Sequence, residues 1–159
     1  MRVIGIDPGY GRCGIAILEK EGGRERVLYS TCVETSAKHP FPQRLAQVAN
    51  ECADLIAKHR PDALAIERLY FSSNQKTAMQ VAEVRGAIVY VAERAQVSIH
   101  EYTPAQIKSA STGWGRSDKQ NVAHMLRVLL HIDKDIEHDD EYDAIAVGLT
   151  CLTSTRTHV

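Results

Sequence analysis

The chain has 159 residues, 44% hydrophobic and 25% charged, with 19 Lys and Arg against 20 Asp and Glu and a formal net charge of -1. That length and balance predict one globular domain over residues 1–159 and exclude a disordered or low-complexity chain. No apolar run reaches the roughly 20 residues needed to span a bilayer. The opening Met1-Arg2-Val3-Ile4-Gly5-Ile6-Asp7 meets a carboxylate too early for a secretory signal core, so the expected location is cytoplasmic, with no membrane contact. The four cysteines, Cys13, Cys32, Cys52 and Cys151, are scattered without a CxxC pair, which argues against a zinc ribbon or disulfide scaffold and for buried reduced thiols.

Val3–Ile6, Cys13–Leu18 and Val27–Val33 read as three strands joined by glycine-rich turns, and short turns make an antiparallel meander. After Pro40 and Pro42 the apolar period changes: Leu45, Val48, Ala49, Cys52, Leu55 and Ile56 mark an amphipathic helix ending near Arg60-Pro61. Ala63–Glu67 is a short buried strand closed by an acid. A helix rich in small residues runs from about Asn74 to Ala95, and Val97–Tyr102 forms a fifth strand. Thr103 with Pro104 starts the next helix, Gly113-Trp114-Gly115 interrupts the chain, and Ser117 is expected to cap a helix reaching Leu130. A hydrophilic connection, 131–138, precedes a last helix from about Asp140 through Cys151. The order β-β-β-α-β-α-β-α-α-α predicts a mixed sheet with helices on its faces.

Two acids, Asp7 and Glu67, close apolar strands and so emerge at the rim of the sheet. Taken singly, each is explained as a strand-end charge paired with a neighbouring Arg12 or Arg68. The segment Asp139-Asp140-Glu141-Tyr142-Asp143 changes that balance, because it packs four acids before an apolar helix. Helical spacing lets Asp143 share a face with either Asp139 or Asp140. The helix dipole accounts for one or two such acids but not for a like-charged pair aimed at a buried sheet. Clustered carboxylates repel unless they share protons or hold a cation, and an all-oxygen set suits Mg²⁺ or Mn²⁺. Two such ions can activate water and stabilise a leaving oxygen in phosphodiester hydrolysis.

The segments GIDPGYGRCG, AIERLYF, QIKSASTGWGRSDKQNVAHMLRVLL and DDEYDAIAV, in that order and spanning nearly the whole chain, resemble the RuvC family of Holliday junction resolvases within the ribonuclease H-like superfamily. The resemblance implies a five-stranded mixed sheet, three strands antiparallel and then two parallel, flanked by helices. It implies a homodimer that nicks opposing strands of four-way junction DNA in recombination and repair, leaving 5′-phosphate and 3′-hydroxyl ends, with a branch-migration motor of RuvA and RuvB type as partner. By motif, Asp7, Glu67, Asp140 and Asp143 match the catalytic acids, which would bind two Mg²⁺ or Mn²⁺ ions. Asp139 stands beside the pattern as a competitor of Asp140, and His138 reads as a solvated loop residue. Lys108 and Lys119 match family lysines that would contact DNA, and Tyr70 matches an aromatic that would stack at the opened crossover. Phe71 is expected to pack inward. Trp114 replaces the usual aliphatic residue and carries no assigned role. The helix after Glu67 matches the family's dimer helix, which gives a reason for a second apolar stripe.

Three other readings fit parts of this pattern. A ribonuclease H-like nuclease acting on RNA or RNA–DNA hybrid keeps the fold and changes the substrate. A nucleotide-binding fragment of the actin and sugar-kinase type would need a second domain. A junction binder without catalysis would gain nothing from carboxylates beside phosphates. The near-zero net charge does not exclude DNA: residues 68–132 hold 8 basic and 4 acidic side chains, while 133–143 hold 1 basic and 7 acidic. Neutrality is a cancellation, and bound divalent cations would offset much of the acidic block.

Overall fold

The computed structural model describes residues 1–68 and 75–154. Its elements are β1 (Arg2–Asp7), β2 (Arg12–Glu21), β3 (Arg24–Glu34), α1 (Phe41–His59), β4 (Ala63–Glu67), α2 (Gln75–Arg94), β5 (Ser98–Tyr102), α3 (Pro104–Thr112), α4 (Lys119–Leu130) and α5 (Asp139–Ser154). The five strands form one sheet in the order β3-β2-β1-β4-β5. β1, β2 and β3 are antiparallel, and β4 and β5 run parallel to β1, as expected from the resemblance. Gly22 and Gly23 both adopt positive φ and close the tight β2–β3 hairpin, a conformation that glycine reaches without steric cost.

Helices cover both faces. In β1 every interior residue is buried, the pattern of a strand covered on both sides, and alternation sends Val3 to one core and Ile4 and Ile6 to the other. The core containing Ile4 and Ile6 is completed by Val48, Cys52, Leu55 and Ile56 of α1 and by Val84, Ile88 and Ala92 of α2, residues at three- and four-residue steps. The opposite core is dominated by α5, whose residues Ala144 to Leu152 are all buried. Among the described residues, no helix is long and apolar enough to cross a membrane. Cys13, Cys52 and Cys151 are buried and Cys32 is half-buried.

α1 ends where Arg60 turns left-handed and returns its N–H to the Ile56 carbonyl, and Pro61 follows. α3 opens on a full capping box: the Thr103 hydroxyl accepts from the Gln106 N–H, and the Gln106 side chain accepts from the Thr103 N–H. α4 differs from expectation by one residue. Its cap is Asp118, which accepts from the Asn121 N–H, while Ser117 is buried against Thr112 and the Trp114 carbonyl. The serine satisfies the preceding turn, which leaves the carboxylate to cap the helix.

Candidate active site

Parallel pairing of β1 with β4 sets Ile6 beside Ile66, so the next residues, Asp7 and Glu67, leave the sheet side by side at its carboxyl rim. α5 then brings further acids to the same place. It crosses β1 and β2 at backbone contact: the Ala144 carbonyl lies over Gly5 and the Asp140 carbonyl over Gly14, where a side chain of any size would collide. That approach fixes the rotation of the helix. Asp140 and Asp143, three residues apart, face the strand-end acids, and Asp139 remains exposed outside the cleft lining.

The result is a cleft of about 370 Å³ lined by Asp7, Glu67, Asp140 and Asp143, with Lys108 and Lys119 at its sides and Pro104, Ile107, Val122 and Ala146 as its apolar wall. Six of the seven residues singled out from sequence therefore meet in one place; the seventh, Tyr70, lies outside the described residues, as does Phe71. Charge accumulates here. The Asp7 carboxyl is pushed up to about 7, first by burial and then by the nearby Asp143, Asp140 and Glu67, with Lys119 opposing. Glu67 is raised as well, again by burial first and then by Asp143, against Lys119 and Lys108.

The neighbouring arginines do not neutralise the strand-end acids. Arg68 pairs with Glu101, and Arg12 pairs with Asp140 at 3.2 Å. Lys119 donates to Asp143 Oδ2 at 2.8 Å, a bond that raises the lysine further above its ordinary range. Among the described residues, no three His, Cys, Asp or Glu side chains already stand at ion-binding separation; Asp140 and Asp143 are turned to protein cations instead. The donor set still fits a hard divalent ion, because four carboxylates share one cleft, and burial first and then their mutual repulsion raise the Asp7 carboxyl.

Three residues differ from their sequence readings. Glu141, inside the acidic run, turns away from the cleft: it is 5% exposed and accepts from the Ser30 hydroxyl at 2.5 Å and from Lys134 at 2.6 Å. His138 is half-buried, not a solvated loop residue, because its ring bridges Glu34 and Arg12. Arg12, first read as a partner for Asp7, belongs to Asp140. The only signal for it in sequence was its position directly after the Gly9–Gly11 turn that follows Asp7. Trp114 is 63% exposed.

A mixed five-stranded sheet with carboxylates converging at the rim between its first and fourth strands, beneath a C-terminal helix, defines a nuclease of the ribonuclease H-like class. Comparison with known proteins narrows that class. The family model for crossover junction endodeoxyribonuclease RuvC matches residues 3–151. The crossover junction endodeoxyribonuclease RuvC of Petrotoga mobilis is 42% identical over 148 residues, 93% of this chain and 91% of its own. The protein of the same name from Heliobacterium modesticaldum is 40% identical over 154 residues, 97% of this chain and 95% of its own. The structure of Thermus thermophilus RuvC in complex with Holliday junction substrate superposes with a TM-score of 0.88 at 31% identity, covering 94% of this chain and 92% of that one. The chain belongs to the RuvC family of crossover junction endodeoxyribonucleases.

Proposed function

We propose that this chain, as a single nuclease domain over residues 1–159, resolves Holliday junctions by hydrolysing one phosphodiester bond in each of two opposing strands. The observation that carries the reading is the convergence of Asp7, Glu67, Asp140 and Asp143 on one cleft flanked by Lys108 and Lys119, in a chain of the RuvC family. Asp7, Glu67, Asp140 and Asp143 would hold two Mg²⁺ or Mn²⁺ ions, which when bound supply activation of the attacking water and stabilisation of the departing 3′ oxygen.

The protein's own groups do the rest. Asp7, buried and surrounded by acids, gives up its proton more readily when the local negative charge is offset, so ion loading favours its anionic form. Lys108 and Lys119 stand at the cleft sides, where ammonium groups neutralise phosphate oxygens and position the scissile strand. The apolar wall of Ile107, Val122 and Ala146 excludes water from one side, which strengthens those electrostatic contacts. Tyr70 is assigned to stacking at the crossover.

A homodimer supplies the second nick. α2 buries Val84, Ile88 and Ala92 but leaves Met79 and Tyr90 71% and 63% exposed, with exposed Ala82 and Gly86 between them. That stripe of large and small residues supports a helix-to-helix contact with a second copy, and a twofold dimer presents two clefts to a substrate with its own approximate twofold axis. A branch-migration motor of RuvA and RuvB type completes the set of partners.

The test compares a synthetic four-way junction, a linear duplex and an RNA–DNA hybrid in Mg²⁺ or Mn²⁺. Paired nicks in opposing junction strands, rejoined by DNA ligase, are expected. Preference for the hybrid would overturn the assignment; the RNA alternative has no support among the matched relatives, which are named as deoxyribonucleases.

A further inference from the structure

Arg12, the first residue of β2, reaches over the edge of the cleft. Its Nε lies 3.2 Å from Asp140 Oδ2, and one terminal nitrogen lies 3.4 Å from His138 Nδ1. On the far side of the ring, His138 Nε2 is 3.0 Å from Glu34 Oε1, and Glu34 is the β3 residue paired with Arg12 in register. A guanidinium has only donors, so in this contact His138 Nδ1 is the acceptor, which leaves Nε2–H to donate to Glu34. The tautomer follows from the contact. An imidazole anchored on β3 thus holds the arginine against a carboxylate of α5.

Asp140 cannot serve two cations equally. Its oxygen is engaged by Arg12, whose side chain is 53% exposed, while that of Asp140, which lines the cleft, is 23% exposed. Ion loading and the guanidinium compete for that carboxylate. A displaced Arg12 would carry an unpaired guanidinium on a side chain already half exposed to solvent, where a substrate phosphate could meet it.

We propose that Arg12 is an exchangeable counter-ion: it occupies Asp140 until a divalent ion binds, then moves to a DNA phosphate, so that ion loading strengthens junction binding. The inference rests on the four-carboxylate reading of the cleft and adds to it a positioning residue that couples the two ligands.

Mn²⁺ binding to the full-length protein without DNA, measured by titration calorimetry, tests the first half. Arg12→Gln is expected to bind Mn²⁺ about threefold or more tightly than wild type, the scale of one partly exposed ion pair. Junction affinity in Ca²⁺, measured against salt, tests the second half: the Arg12→Gln slope is expected to fall by about one, and Arg12→Lys to restore it. Unchanged or weaker Mn²⁺ affinity, or an unchanged salt slope, overturns the proposal. Asp7→Asn separates the two layers. If Asp7→Asn binds Mn²⁺ as wild type does, or wild type shows no saturable binding, the four-carboxylate reading fails and the counter-ion role with it. If Asp7→Asn loses the ion but Arg12→Gln matches wild type, only the role of Arg12 fails.

Discussion

Gly14 of β2 lies directly beneath the backbone carbonyl of Asp140, with no room between them for a Cβ. The contact is rigid on both sides, since Gly14 sits mid-sheet opposite Asp7 and Asp140 belongs to the first turn of a buried helix. Gly14→Ala is therefore expected to lift that turn and carry Asp140 and Asp143 out of reach of Asp7. Overpacking of this kind costs about 1–3 kcal/mol, and more where backbone is the obstacle. Thermal unfolding would read the stability loss. Junction cleavage assayed well below the melting temperature should fall further than the folded fraction does.

Asp7 is more deeply buried than Glu67 and feels the charge of the other three acids in the cleft. Asp7→Asn keeps the shape and removes one carboxylate, so cleavage in Mg²⁺ or Mn²⁺ is expected to fall by about 10³-fold or more. Junction binding should survive, because Lys108 and Lys119 are untouched. A gel-shift assay in Ca²⁺ beside a cleavage assay in Mg²⁺ checks both; retained cleavage would dismiss Asp7 as a ligand.

Apolar periodicity together with cap and turn signals such as Thr103-Pro104 and Gly113-Trp114-Gly115 was enough to place all ten elements. The strand-end positions of Asp7 and Glu67 were equally legible, since an acid that closes a buried run can only emerge at the rim. The choice between Asp139 and Asp140 was not. Both can share a face with Asp143, and only the close approach of α5 to Gly5 and Gly14 sets the helix rotation that admits Asp140. Arg12 and His138 are 126 positions apart, so no local pattern announces their contact. Ser117 and Asp118 are both able caps, and the turn through Thr112 and Trp114 decided between them.

Glu141 shows that adjacent acids can have unrelated tasks. It is buried and held by Ser30 and by Lys134, which also donates to the Ser30 carbonyl at 2.8 Å. Glu141→Ala leaves the Ser30 hydroxyl without its acceptor and is expected to cost about 1–3 kcal/mol. Cleavage per folded molecule should stay near wild type. Asp140→Ala should do the reverse, with little loss of stability and a large loss of activity. Chemical denaturation alongside cleavage rates would separate the two; equal activity losses would return Glu141 to the site.

The exposed stripe on α2 makes a different demand. Gly86 has open space around it, so a large side chain there does no harm to the isolated fold, whereas it would wedge apart two helices meeting along Met79, Ala82, Gly86 and Tyr90. Gly86→Lys is expected to yield a folded monomer. Light scattering and circular dichroism would establish that state, and junctions exposed to it should accumulate single nicks in place of paired ones. A Gly86→Lys dimer with wild-type affinity would place the interface elsewhere.

The Asp7 carboxyl, at about 7 in the fold against 3.8 when unperturbed, links pH to both stability and ion binding. The native state keeps a proton that the unfolded chain loses, so in chelator the stability contributed by that proton is complete below about pH 4. It is lost as pH rises towards 7, with a total of roughly 4 kcal/mol as the ceiling. Denaturation in EDTA from pH 4.5 to 7.5 should show the decline, and Asp7→Asn should flatten it. With a divalent ion the sign reverses, because the ion binds the ionised carboxylate and must expel the proton. Apparent Mn²⁺ affinity is therefore expected to weaken by about tenfold for each pH unit below 7 and to level off above it. Calorimetry near pH 6 in buffers of different ionisation enthalpy should report release of close to one proton per site. An ion affinity independent of pH across this window would mean that Asp7 is not among the groups that hold the ion.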